Sequence, residues 1–187
     1  ITMAADTDTV AYQSGNVTIA AGGNATLQDV GTFAGNVDVS AKQGNLLQVG
    51  QLLAGTGNVT ASAGGDLTTL ALTGALYAGN VNLSAGGNVS LQQVGTTSGN
   101  IDLKAGGNLT QHQNVVTGEG NLTAHADGDL TTLADTTVTG TGNIDYSAGG
   151  NASLQNVTTG NGNIDLATLV GDLTQNALVQ TANGNVT

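Results

Sequence analysis

The segment GNVTIAAGGNATLQDVG at residues 15–31 returns twice with few changes, as GNVNLSAGGNVSLQQVG at 79–95 and GNIDYSAGGNASLQNVT at 142–158. In its first copy Val17, Ile19 and Ala21 alternate with Thr18 and Ala20. Gly22, Gly23 and Asn24 interrupt the run, after which Ala25 and Leu27 alternate with Thr26 and Gln28. Short period-two runs rich in Val and Thr, bounded by Gly and Asn, are strand and turn signals. Helical spacing is absent, and this density of Gly would break helices.

The opening Gly-Asn pair recurs before Val, Ile or Leu at Gly15, Gly35, Gly57, Gly79, Gly99, Gly120, Gly142, Gly162 and Gly184. Successive starts lie 20, 22, 22, 20, 21, 22, 20 and 22 residues apart. A second Gly-Asn or Gly-Asp pair follows in each unit, ending on Asn24, Asn45, Asp66, Asn88, Asn108, Asp129, Asn151 and Asp172. The three matching segments are offset by 64 and 63 residues, so three short units make one long unit. A repeat of this period means a solenoid. The expected fold is all-β: a right-handed parallel β-helix with 20–22 residues per coil and a three-coil super-repeat. Coils stacked at the interstrand spacing of about 4.8 Å give a rod roughly 40 Å long. Residues 1–187 read as a single β-helix segment, with 1–14 a partial coil and 15–187 about eight coils plus a partial one. The opening ITMAADTDTV resembles the tail of a third unit, so the chain is expected to start and stop within units of a longer array.

Stacking turns equivalent positions into columns. The first inward column reads Val17, Val37, Val59, Val81, Ile101, Leu122, Ile144, Ile164 and Val186. Two residues on stand Ile19, Val39, Ala61, Leu83, Leu103, Ala124, Tyr146 and Leu166. A later column, Leu27, Gln48, Thr69, Leu91, Gln111, Thr132, Leu154 and Gln175, repeats Leu, Gln, Thr in strict order. Buried glutamines would need partners. The expectation is that the strand shifts register in those coils and turns Gln48, Gln111 and Gln175 outward. The Gly-Asn pairs suit tight corners, since both residues tolerate positive φ. Asn16, Asn36, Asn58, Asn80, Asn100, Asn121, Asn143 and Asn163 at one corner are expected to stack as amide ladders, as are Asn24, Asn45, Asn88, Asn108 and Asn151 at another.

Composition narrows function. The chain holds 30 Gly, no Pro, no Cys and no Trp, with two cations (Lys42 and Lys104) against 13 acids and a net charge of -11. Collagen needs Pro and a Gly-X-Y period, and no apolar run is long enough to span a membrane. Two cations cannot neutralise a run of phosphates, which excludes nucleic acid as a partner. Without Cys there is neither a disulfide nor a thiolate metal site. The nine-residue calcium-roll period is also missing, so no metal and no cofactor are expected.

The recurring GN-[VIL]-x-[LVI]-x-A-x-x-G-[ND]-[VL]-T pattern resembles the filamentous-haemagglutinin repeats of large two-partner-secreted bacterial exoproteins, over roughly 15–187. The resemblance implies a right-handed β-helical shaft segment of an adhesin or contact-dependent toxin, at the surface of a Gram-negative bacterium or secreted from it. It implies a structural role without enzymatic activity, spacing a distal tip from the cell, with the host, bacterial or glycan receptor unidentified. Open strand edges at the end coils make flanking coils the expected end-to-end partners.

The rival readings are a carbohydrate-binding side face and a polysaccharide-acting enzyme. The second would use Asp145 and Asp165, which fall on adjacent coils in the column that also holds Asp38 and Asp102. Thr18, Thr60 and Thr123 occupy the same column, as befits an ordinary outward position. The column Thr26, Leu47, Thr68, Ser90, Thr110, Thr131, Ser153 and Thr174 is too interrupted at Leu47 to form a flat ice-binding array. His112 and His125 fall in different outward columns and read as solvated surface side chains, with no serine–histidine–acid arrangement discernible. One consequence is checkable by thermal melting: Leu83→Asp buries an unpaired charge and is expected to unfold the chain, whereas an unchanged melt would place Leu83 outside the core.

Overall fold

A computed structural model describes residues 1–187. Each coil contributes three strands, such as Val17–Ala21, Ala25–Leu27 and Asp29–Ala34. They build three parallel sheets of eight, eight and nine strands, in which each strand pairs with its counterparts one coil away. The first sheet holds Val17–Ala21 and its counterparts, the second Ala25–Leu27, and the third Asp29–Ala34. The result is a β-solenoid of about eight turns. It contains no helix, hence none long and apolar enough to cross a membrane.

The aliphatic columns fill the rod. Val17, Val37, Val59, Val81, Ile101, Leu122, Ile144 and Ile164 are all buried, and Leu83 and Leu103 stand beside them. Truncating a buried Leu of this kind to Ala removes about 2–5 kcal/mol, a large part of any single domain's stability.

The corners show why Gly and Asn travel together. Asn36 donates its backbone N–H to Asn16 Oδ1 at 2.8 Å, and Asn58 donates to Asn36 Oδ1 at 2.9 Å. The pattern continues unbroken to Asn185 on Asn163. At the second corner it runs from Asn45 on Asn24 to Asp172 on Asn151. These ladders therefore join a side-chain oxygen to the next backbone amide, rather than amide to amide as the sequence suggested. Only an acceptor is needed, which is why Asp serves at 66, 129 and 172. The preceding glycine is required because its coil lies against the one before. A Cβ on Gly35 would collide with the Gly15 carbonyl, and one on Gly44 with Asn24 Oδ1. Gly35 also sits at φ 140°, where a side chain is strained.

The column of alternating Leu, Gln and Thr corrects one expectation. Gln48 and Gln111 point inward and are fully buried. Register is continuous through them, Leu27↔Gln48↔Thr69, because the backbone ladder fixes it whatever the side chain. The exposed Gln175 occupies the same position in the last strand of its sheet. Each glutamine serves a longer corner. Coils with Leu in this column reach the third sheet through two residues, as Leu27 to Val30, and coils with Gln or Thr through three, as Gln48 to Leu52. Gln48 Nε2 donates to the Gly50 carbonyl at 2.9 Å and to that of Leu72 at 3.1 Å, while its Oε1 accepts from Thr73 Oγ1 at 2.7 Å. Thr69 and Thr132 close the cycle. Their hydroxyls accept from Gln92 N–H at 2.9 Å and Gln155 N–H at 2.7 Å, where the shorter corner resumes. No buried side-chain polar atom is left without a partner.

The acceptor ladders generate a paired prediction within one coil. Asn80→Asp keeps its acceptor among uncharged neighbours and should leave stability nearly unchanged. Asn88→Asp also keeps its acceptor but places a carboxylate one strand spacing from Asp66, costing about 1 kcal/mol at low salt. Added salt should restore the second variant alone. Equal melting of the two at low salt would refute the charge-spacing argument.

Candidate functional site

The outer face of the first sheet carries the chain's densest chemistry. Along one outward column the register runs Ser84, Lys104, His125, Ser147, Ala167. Earlier coils hold Ser40 and Ser62 there, so Lys104 and His125 replace the repeat's usual serine. Two residues after His125, Asp127 stands at a corner position that is Gly86, Gly106 and Gly149 in other coils. The two replacements meet. His125 Nδ1 lies 2.8 Å from Ser147 Oγ, and His125 Nε2 lies 2.9 Å from Asp127 Oδ1. A carboxylate only accepts, so Nε2 carries the proton and Nδ1 accepts the serine hydroxyl.

A serine–histidine–acid chain is therefore present where the sequence showed none, and His125 stands in it as the surface side chain it was expected to be. Its members come from two coils, and only the exact register brings them together. A hollow of about 390 Å³ opens beside it, lined by His125, Asp127, Ser147, Ala167, Thr168 and Leu169, with Ala148 and Gly149 between them. The repeat departs from its pattern here a second time. Thr168, Leu169 and Val170 replace the usual Ala-Gly corner, and the Thr168 hydroxyl closes this loop on the Gly171 carbonyl at 2.7 Å. Leu169 is left 84% exposed at the rim. The backbone amides nearby are committed to the ladder, Gly149 to the Ala126 carbonyl and Leu169 to that of Ala148.

The other candidates lie apart. Asp145 and Asp165 are exposed register neighbours on this sheet, and the Asp165 carboxylate accepts from the Thr187 hydroxyl. Neither lines a hollow. His112 directly follows the strand Leu109–Gln111, in the middle of the second sheet, with Nε2 3.1 Å from Ser90 Oγ, and does not meet His125. No group of three or more His, Asp or Glu side chains is placed to hold a metal ion.

A second feature lies on the outer face of the third sheet and was missed in the sequence. Tyr12, Phe33 and Tyr77 are 82%, 60% and 59% exposed. Tyr12 follows Ala11, which pairs with Thr32, so it aligns with Phe33. A bulge between Ala75 and Ala78 turns Leu76 and Tyr77 outward two coils on. With Leu53 and Val10, Tyr12 and Phe33 flank a second hollow of about 390 Å³, floored by Gly31 and edged by Asp8, Asp29 and Gln51. The signal was available: Phe33 lies 21 residues after Tyr12 and Tyr77 lies 44 after Phe33, one coil and two coils.

The fourth aromatic is buried. Tyr146 projects over the small Ala124 of the coil before it, and its hydroxyl lies 2.7 Å from Thr136 Oγ1 and 3.3 Å from Gln111 Oε1. No family model, curated protein or solved structure matches the chain.

Burial pushes the Tyr146 phenol above the usual tyrosine range, and the Thr136 hydrogen bond offsets this only in part. The unfolded chain ionises its tyrosines near pH 10, where the fold still holds Tyr146 protonated. Its contribution to stability is therefore full below about pH 10 and is lost as pH rises through the folded value. Denaturant titrations in alkali are expected to show this loss, and Tyr146→Phe should flatten it. An identical alkaline slope in the variant would contradict the assignment.

Proposed function

We propose that the chain is a shaft segment of a large exported bacterial exoprotein of the filamentous-haemagglutinin kind, acting as a stiff spacer between a cell surface and a distal adhesive or toxic element. One observation carries this reading: two acceptor ladders and three parallel sheets run through every coil without a break. Each coil contacts its neighbours, so length can be added in coils without changing the cross-section. The repeat pattern itself supports the family, and the excess of acid favours solubility of a long rod.

The reading has a direct test. Duplicating the three-coil unit 79–141 should lengthen the rod by about 14 Å, measured by energy transfer between dyes at its ends, and should keep its melting cooperative. A shorter or unfolded product would overturn the spacer reading.

The aromatic stripe favours a second reading, in which the third sheet's side face contacts a neutral glycan. Aromatic faces accept the C–H faces of sugar rings, as amphipathic rings do at other interfaces, while Asp8, Asp29 and Gln51 offer hydrogen bonds. Without nearby cations an anionic glycan is disfavoured. On a neutral-glycan array, saturable binding that disappears when Tyr12, Phe33 and Tyr77 are all replaced by Thr would establish this reading. Absent or unchanged binding would remove it.

A further inference from the structure

We propose that Ser147 is an activated nucleophile that accepts the acyl group of small activated esters, with His125 as its base and Asp127 as the residue that positions the imidazole. This chemistry sits on the rod's surface and does not depend on the shaft reading.

Three observations converge on it. The first is the hydrogen-bonded chain itself, Ser147 Oγ to His125 Nδ1 at 2.8 Å and His125 Nε2 to Asp127 Oδ1 at 2.9 Å. A serine hydroxyl is a weak nucleophile until a base is placed to take its proton, and a base works best when a third group fixes its tautomer. Both conditions are met by one neutral imidazole. Here Nδ1 faces the serine and Nε2 faces the acid. Such a constellation is recognised by geometry and role rather than by sequence position.

The second is the hollow beside the serine. Its volume of about 390 Å³ falls within the range of small-molecule sites. Ala148, Ala167 and Leu169 give it an apolar wall suited to a short acyl chain or an aryl leaving group.

The third is where the repeat fails. Positions 125 and 127 replace Ser and Gly of the pattern, and 168–170 replace Ala and Gly. All but Val170 line this hollow. Departures from an otherwise consistent sequence are expected at functional sites, and these departures line one hollow from the two coils that flank the coil of Ser147.

The step balances without a further reactant. Ser147 Oγ attacks the acyl carbon and forms the new C–O bond, while its proton passes to His125 Nδ1. The bond from the acyl carbon to the leaving oxygen then breaks, and His125 returns the proton to the departing aryloxide. The amides of Gly149 and Leu169 that border the hollow already donate to carbonyls, so neither is free to hold an oxyanion. Such donors supply much of the catalysis in efficient acyl transfer. Reaction is therefore confined to activated donors, and the acyl-serine turns over slowly.

The repeat provides its own control, because Ser62 and Ser84 occupy the same outward column without a histidine on either adjacent coil. The folded chain is incubated with 4-nitrophenyl acetate, and acetylation is followed by peptide mass spectrometry alongside nitrophenolate release. Ser147 should acetylate about 10²-fold faster than Ser62 or Ser84, the scale of general-base assistance. His125→Ala should bring Ser147 down to their rate. Asp127→Asn should slow it about tenfold or more, without moving the melting temperature or the rates at Ser62 and Ser84. Equal acetylation at the three serines overturns the proposal, as does an unchanged Ser147 rate in His125→Ala. Both replaced side chains are solvent-exposed, by 41% and 62%, so their removal leaves the core intact.

Discussion

Everything in this rod depends on one contact at its corners, where the side-chain oxygen of an Asn or Asp accepts the backbone N–H of its counterpart in the next coil. That oxygen reaches across only because the glycine before the counterpart leaves the space open, as Gly44 does for Asn24. The dipeptide is therefore a single device spread over two coils. Each bond is worth about 1 kcal/mol, but it also fixes where the next coil begins. Once the corners are pinned, the sheets must follow in register, and every position becomes a column. Columns explain the composition. Like charges one strand spacing apart repel, so charge is scarce, and within their ladder Asp66 and Asp129 are separated by two Asn and Asp129 and Asp172 by one.

The three-coil super-repeat has a cause of the same kind. A coil with a three-residue corner carries one more peptide group than a coil with two, and that group lies beside the core. Gln48 supplies donors for the carbonyls and finds its own acceptor bond in Thr73 of the following coil. Gln111 likewise accepts from Thr136 but donates only to the following coil, at the Ala134 and Asp135 carbonyls, with Tyr146 joining from the coil beyond. A change in corner length thus demands a glutamine in one coil and a threonine in the next. A two-residue corner can then resume only where a hydroxyl, that of Thr69 or Thr132, meets the first amide. The alternation is a local solution to backbone hydrogen bonding carried across three coils, and buried polar groups that are all satisfied help to enforce a single register.

The sheets, the coil length and the aliphatic columns were legible because each expresses a period, two along the strand and about twenty-one along the chain. The direction of Gln48 and Gln111 was not, because side-chain polarity argues against burial and only the length of the following corner argues for it. One extra residue between Gln48 and Leu52, repeated on the next coil between Thr69 and Thr73, was the signal of two stacked longer corners for a buried amide to serve. The Ser147–His125–Asp127 chain lay deeper. His125 and Ser147 are 22 residues apart, and their meeting depends on coil register, on Asp127 turning back at its corner, and on the rotamer of one imidazole. Periodicity supplies the first of these and is silent on the other two. The aromatic stripe falls between, its spacing visible but its exposure hidden in the bulge that turns Tyr77 outward.

A solenoid separates what holds it together from what its surface can do. Inward positions and the Gly-Asn pairs are bound to the coils on either side, so a change there must be matched by another one coil away, as Gln48 is by Thr73. Outward strand positions touch mainly solvent and their column neighbours, and they can depart from the pattern alone. Two clusters of departures stand out here, aromatic on the third sheet over the early coils and nucleophilic on the first sheet over the later ones. Neither disturbs a ladder: Asp127 still donates its amide to the Ala105 carbonyl, as Gly106 does to that of Ala85. The frame therefore tolerates chemistry on its faces because the corner bonds are made by backbone amides and one recurring oxygen position, leaving the remaining outward side chains free to differ.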